Sequence, residues 1–148
     1  MTMHLQSQWR DPRIQPYLLS KLTPMDLHKD ERWLTRDLPR IQRDGLWYPI
    51  MLYKVTPEWW NTKFVRWRPV GCYYIDPIVN EDGMIWAIKM GSNRYQCAKH
   101  LGYETIDAIM FDHSDDCVKL AAWHRDCNPL NNKNAPPYQG LYSYDDNL

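Results

Sequence analysis

Gly91-Ser92-Asn93-Arg94 is the stretch whose residue types and spacing are best suited to chemistry. An apolar run with β character, Ile85 to Met90, breaks at Gly91, and Arg94, Tyr95, Ala98 and Leu101 then recur at helical spacing until Gly102. A strand that turns through glycine into a helix leaves backbone N–H groups unpaired at the positive end of the helix dipole, a corner that attracts phosphate. Ser92 and Asn93 add neutral polar groups, and Arg94 adds a permanent cation that can fork onto two oxygens. The same residues also suit a plain strand–turn–helix with Arg94 in solvent.

Three further groups carry ligand-type side chains. Asp112-His113-Ser114-Asp115-Asp116 follows an expected strand and offers carboxylates to a hard cation such as Mg²⁺, with His113 as a candidate general base. Helix capping by Ser114, with the aspartates serving the dipole, explains the same residues. Lys63-Phe-Val-Arg66-Trp67-Arg68 interleaves cations with aromatics, a composition suited to nucleic-acid phosphates and base stacking. An exposed strand with Arg66 and Arg68 outward and Val65 and Trp67 inward fits it as well. Arg36, Arg40 and Arg43 share one helical face. Trp59-Trp60, Tyr73-Tyr74 and the late Tyr138, Tyr142 and Tyr144 suit either a protein or nucleic-acid contact or a small satellite core.

Composition bounds the setting. The 148 residues suit one domain with a sizeable core, and 18 basic residues balance 18 acidic ones. The first half carries a basic excess and the second an acidic one, too small to name a partner. The four cysteines form no Cys-x-x-Cys pair, and Cys97 reads as a small buried thiol within a helix. With no signal peptide and no apolar run of transmembrane length, the expectation is a reduced, soluble, cytoplasmic protein with no membrane partner.

The elements that must position these groups follow from pattern. Residues 1–21 are expected as an extended arm docking through Trp9, Ile14, Tyr17 and Leu18. Thr23-Pro24-Met25-Asp26 resembles a helix start, with the helix running to about Leu34. A second helix spans Leu38 to Asp44, capped by Asp37 and closed by Gly45. Pro49–Val55 reads as a strand, Thr56–Asn61 as a turn or loop, and Lys63–Trp67 and Gly71–Ile75 as two β-like runs. Asn80-Glu-Asp-Gly83 is a turn feeding the Ile85–Met90 strand. A helix over 92–101, a strand over Ile106–Phe111 and a last helix over 114–127 complete an α/β domain, a small mixed sheet flanked by helices. Residues 128–148 lack periodicity and read as an extended or disordered tail.

Taken in order, Gly45-Leu46-Trp47-Tyr48-Pro49-Ile50 and Gly91-Ser92-Asn93-Arg94-Tyr95-Gln96-Cys97-Ala98 resemble the ParB/sulfiredoxin-like (ParB-like nuclease domain) superfamily, in which Gly-Leu-x-x-Pro-Ile, a strand and Gly-x-x-Arg-x-x-Ala occur in that sequence. The resemblance covers roughly residues 37–111, with an enlarged middle at 56–81. It implies a phosphate pocket in which Gly91, Ser92, Asn93, Arg94 and Tyr95 cradle a nucleoside triphosphate, CTP or ATP, with Gly45, Tyr48 and Pro49 as the facing wall. Arg94 would stabilise a transferring phosphate, and Asp112 or Asp44 would hold Mg²⁺. Relatives include a CTP-dependent DNA clamp, an ATP-dependent sulfinic acid reductase, phosphotransferases and reported nucleases, and small stand-alone ones are frequent in phage genomes. Ser92 stands where the reductase has its reactive cysteine, and the clamp's second phosphate motif and helix-turn-helix have no counterpart. The resemblance therefore implies NTP hydrolysis, phosphoryl transfer or nuclease activity. The alternative is a non-catalytic DNA-, RNA- or protein-binding accessory module.

Overall fold

The run Ile50-Met-Leu-Tyr-Lys-Val55 is apolar at almost every position, which suits a strand covered on both faces. The computed structural model, which describes residues 3–126, gives it that place. The strands are β1 (His4–Leu5), β2 (Gln15–Leu18), β3 (Leu22–Pro24), β4 (Ile50–Val55), β5 (Ile85–Met90) and β6 (Thr105–Phe111), all in one mixed sheet. β4 lies between β5, antiparallel to it, and β6, parallel to it. β3 runs parallel to β5 on the far side, while β1 and β2 join β6, parallel and antiparallel respectively.

Alternate side chains of β4 feed two cores. Met51, Tyr53 and Val55 meet Trp60, Ile85, Phe111 and Leu120 on one face. Ile50 and Leu52 meet Leu22, Leu38, Ile88, Ala98 and Ile106 on the other. The helices are α1 (Leu38–Asp44), α2 (Pro57–Trp59), α3 (Val65–Trp67), α4 (Ser92–His100) and α5 (Ser114–Asp126). α1 and α4 cover the second core and α5 the first. Because both cores share one sheet, the described residues form a single α/β unit, as composition and pattern led us to expect.

Local signals hold where a backbone requirement enforces them. Gly45 has φ +76° and donates to the Ile41 carbonyl at 2.8 Å, closing α1. The Asn80–Gly83 turn forms as read, with the Gly83 N–H on the Asn80 carbonyl at 2.9 Å. The N-terminal arm docks through Trp9 and Ile14, yet it does so as two strands, and Leu18 is exposed.

Five expectations fail. Thr23-Pro24 does not start a helix: it ends β3, where Thr23 is fully buried and its hydroxyl accepts from the Ile78 N–H at 2.9 Å. Pairing with β5 along the sheet edge overrides the capping signal. Asp37 makes no capping bond, because a π-helical turn over Trp33–Asp37 runs straight into α1. Thr56–Asn61 is not a loop, since Thr56 caps α2 by accepting from the Trp59 N–H at 3.0 Å. Lys63–Trp67 is not a strand either. A π-helical stretch, Trp60–Phe64, carries α2 into α3, and burial of Trp60 and Phe64 on one side of this helical segment defeats the alternation of Arg66 and Trp67. Gly71–Ile75 contributes only a single bridge, Cys72 to His28. The tail expected over 128–148 lies outside the described residues, as does the end of the last helix at Cys127.

Candidate functional site

Gly91 is required by packing before it is available to any ligand. Its φ is +116°, and a Cβ there would lie 2.4 Å from Cγ2 of the fully buried Ile50. The backbone turns at this point, the Tyr95 N–H closes onto the Gly91 carbonyl at 2.9 Å, and α4 starts without any side-chain cap. Its first-turn N–H groups are therefore left for solvent or a ligand.

Arg94 folds back under this turn. Its Nη1 donates to the carbonyls of Tyr48 at 2.7 Å and Pro49 at 3.0 Å, and its guanidinium lies 4.7 Å over the Tyr48 ring. This ties the entry of β4 to α4, so Arg94 is a strut as well as a cation. The half-buried side chain has no carboxylate at ion-pair distance among the described residues, and Nε and Nη2 have no hydrogen-bond acceptor there. Burial, with Arg40 nearby, pulls its pKa below the usual arginine range, while Tyr48 and Asp37 oppose that fall.

Around this turn lies a cleft of about 210 Å³ lined by Arg36, Arg40, Arg94, Asp26, His28 and Ser92, among others. Arg36 and Arg40 reach it from the helical segment preceding and opening α1, each 3.1 Å from a different oxygen of the buried Asp37. Across from them, Ser92 Oγ donates to Asp26 Oδ1 at 2.6 Å, and His28 Nε2 lies 3.8 Å from Asp26 Oδ2. Burial raises the Asp26 pKa against the lowering effects of that hydrogen bond and of His28 and Lys89.

The structure collects some of the expected residues and disperses others. Tyr48, Gly91, Ser92, Asn93 and Arg94 line the cleft, and Pro49 contributes its carbonyl. Gly45 lies beside it, in a small recess shared with Arg94. Tyr95 points away, buried in the core under α4. Asp44 is drawn off by Arg43 at 2.7 Å. Asp112 and His113 are exposed beyond β6, at the sheet end opposite Gly91, because Phe111 pairs with Tyr53 whereas Met90 pairs with Met51. Lys63, Arg66, Trp67 and Arg68 are exposed on the helical segment and the loop after it, Trp67 at 76%. Cys97 and Cys117 are buried, their pKa values pushed up to about 11 and about 12 by burial, so neither is a ready nucleophile.

Asp26, His28 and Asp37 were not legible as site residues. Asp26 reads in sequence as the first-turn acid of a helix; only the β3–β5 pairing carries it to Ser92. The four-three spacing of Arg36, Arg40 and Arg43 flags the correct helical face for two of its members.

No family model and no curated protein matches the chain. The chain is similar to a solved structure described as free serine kinase in complex with AMP, at 15% identity and a TM-score of 0.46, covering 77% of this chain. It spans 39% of that structure's chain. No helix among the described residues is long and apolar enough to cross a membrane.

Proposed function

We propose that the cleft beneath Gly91 binds the phosphates of a nucleotide. The observation that carries this reading is Arg94: a half-buried guanidinium at the edge of an open cleft, with no carboxylate partner and only one of its three nitrogens engaged. A cation held out of water without a counter-charge is unfavourable, and an anionic ligand relieves it. Arg36 and Arg40 add charge that the single carboxylate of Asp37 does not cancel, and the uncapped start of α4 adds dipole. The ordered Gly45-Leu-x-x-Pro49-Ile and Gly91-x-x-Arg94 pair, with its resemblance to the ParB/sulfiredoxin-like superfamily, supports the same ligand class.

Among the described residues no group of three or more His, Cys, Asp or Glu side chains is arranged to hold a metal. Mg²⁺ accordingly enters this reading as an ion carried by the phosphates, with Asp26 rather than Asp112 or Asp44 as the carboxylate facing it. Asp26 is also the cleft's candidate base for hydrolysis or phosphoryl transfer.

Thermal-shift titration of the intact chain with tripolyphosphate and with the four nucleoside triphosphates, with and without Mg²⁺, tests the reading. Ligand at about 100 times Kd should add ~2.7 kcal/mol of stability. Arg36→Gln, which leaves Arg40 on Asp37, should weaken the shift without unfolding the chain. Absence of any shift from any of these anions would remove the proposal. Release of phosphate on prolonged incubation would add catalysis to binding.

A further inference from the structure

Beside the arginine cleft lies a second recess of about 290 Å³, which shares Asp26 with it. Its apolar lining is supplied by Met25, Trp59, Phe64 and Trp67, and its polar lining includes Tyr53, Lys89 and Ser114. The helical segment Pro57 to Trp67 builds it. Trp60 and Phe64 anchor that segment in the core, which leaves Trp59 half-buried, its ring 6.1 Å from Phe64 and 19° off parallel, and Trp67 largely open.

We infer that this recess takes the aromatic base of the nucleotide whose phosphates occupy the arginine cleft, so that the ligand lies across Asp26. The inference rests on the phosphate reading above and specifies the other end of the same ligand. Three features favour a base over another apolar group. Trp67 is 76% exposed at the mouth, and exposed indole faces stack planar heteroaromatic rings of any sequence. The Tyr53 hydroxyl and Lys89 ammonium have no hydrogen-bond or ion-pair partner among the described residues, which suits a base edge bearing acceptors. Burial, reinforced by Cys117, pushes Tyr53 up to about 12, which keeps the hydroxyl a donor at neutral pH. Finally, the recess shares Asp26 with the cationic cleft, and the two together offer space in the ~300–1,000 Å³ range of small-molecule sites.

Titration of the wild type, Trp67→Ala and Arg36→Gln with tripolyphosphate, a nucleoside triphosphate and the matching nucleoside, read by calorimetry and indole fluorescence, separates the two ends. The exposed position of Trp67 keeps the alanine variant folded. The expected result is a nucleotide that binds at least tenfold tighter than tripolyphosphate and quenches indole emission. Trp67→Ala should remove most of that tenfold while leaving tripolyphosphate affinity unchanged. Equal binding of nucleotide and tripolyphosphate, or an advantage that survives Trp67→Ala, overturns the base site and leaves the phosphate cleft standing. Nucleoside binding that Trp67→Ala abolishes, without any tripolyphosphate binding, overturns the phosphate cleft instead. Failure of all three ligands to bind overturns both.

Discussion

Gly91 and Arg94 show why a motif residue can have two reasons to exist. A Cβ at Gly91 would strain a φ of +116° and collide with the fully buried side chain of Ile50. Gly91→Ala is expected to cost ~1–3 kcal/mol for the backbone and a similar amount for overpacking. Its melting temperature should fall by roughly 5 °C or more, even with no ligand present. An unchanged melting temperature would contradict the packing role. His124 offers a second test at this scale. It is fully buried, stacked on Tyr48 at 4.3 Å, and burial plus the charges of Arg94 and Arg13 lower its pKa from 6.5 to about 3. The folded state holds the neutral ring while the unfolded chain takes up a proton below pH 6.5. Stability from this group is therefore complete above pH 6.5 and declines as pH falls toward about 3. At pH 5 the loss is about 2 kcal/mol. Urea midpoints of the wild type and His124→Phe, compared at pH 7 and 5, should show a smaller decline in the variant.

At the scale of elements, the helical run from Trp33 into α1 is held by an ion triad. Asp37 is 3% exposed and accepts from both Arg36 and Arg40, whose side chains reach solvent. Asp37→Asn removes the only carboxylate within ion-pair distance of either arginine among the described residues. Two effects of opposite sign follow. The fold should lose about 1–3 kcal/mol, because hydrogen bonds to a charge are weakened in a buried place. Tripolyphosphate binding should tighten several-fold, because the cleft gains net positive charge. A variant that lost stability and affinity together would mean that Asp37 positions the arginines more than it neutralises them. The same element logic explains the second recess. Side chains that alternate in a strand are redistributed by a helical segment, so Trp67 faces outward instead of inward.

Across the whole molecule, the sheet is completed by its own N-terminal arm. Asp107 on β6, 2% exposed, accepts from the Ser7 N–H at 2.9 Å, the Ser7 hydroxyl at 3.2 Å and Arg10, and it pairs with His4 at 2.8 Å. One carboxylate thus fastens β1 and the approach to β2. Asp107→Ala should destabilise the chain by about 3 kcal/mol. Amide exchange over residues 4–18 should accelerate before that of β4, β5 and α4 changes. Uniform acceleration over all strands would show that the arm and the central sheet open as one unit.

Turns and helix boundaries set by glycine were legible from the sequence, because a positive φ at Gly45, Gly83 and Gly91 is a property of one residue and needs no partner. So was the order β4, β5, α4, β6, since each has a run long enough to declare its own period. The α/β class followed from that order. What tertiary structure alone decided was the fate of short or ambivalent runs. Thr23-Pro24 became a strand because β5 offered an edge, and Lys63–Trp67 became helical because Trp60 and Phe64 needed a core. The candidate site divides along the same line. Its turn is local and could be read from Gly91 to Arg94. Its other wall is brought there by strand pairing and helix packing, which juxtapose Asp26, Arg36 and Arg40 across long separations in sequence. No local pattern encodes that proximity.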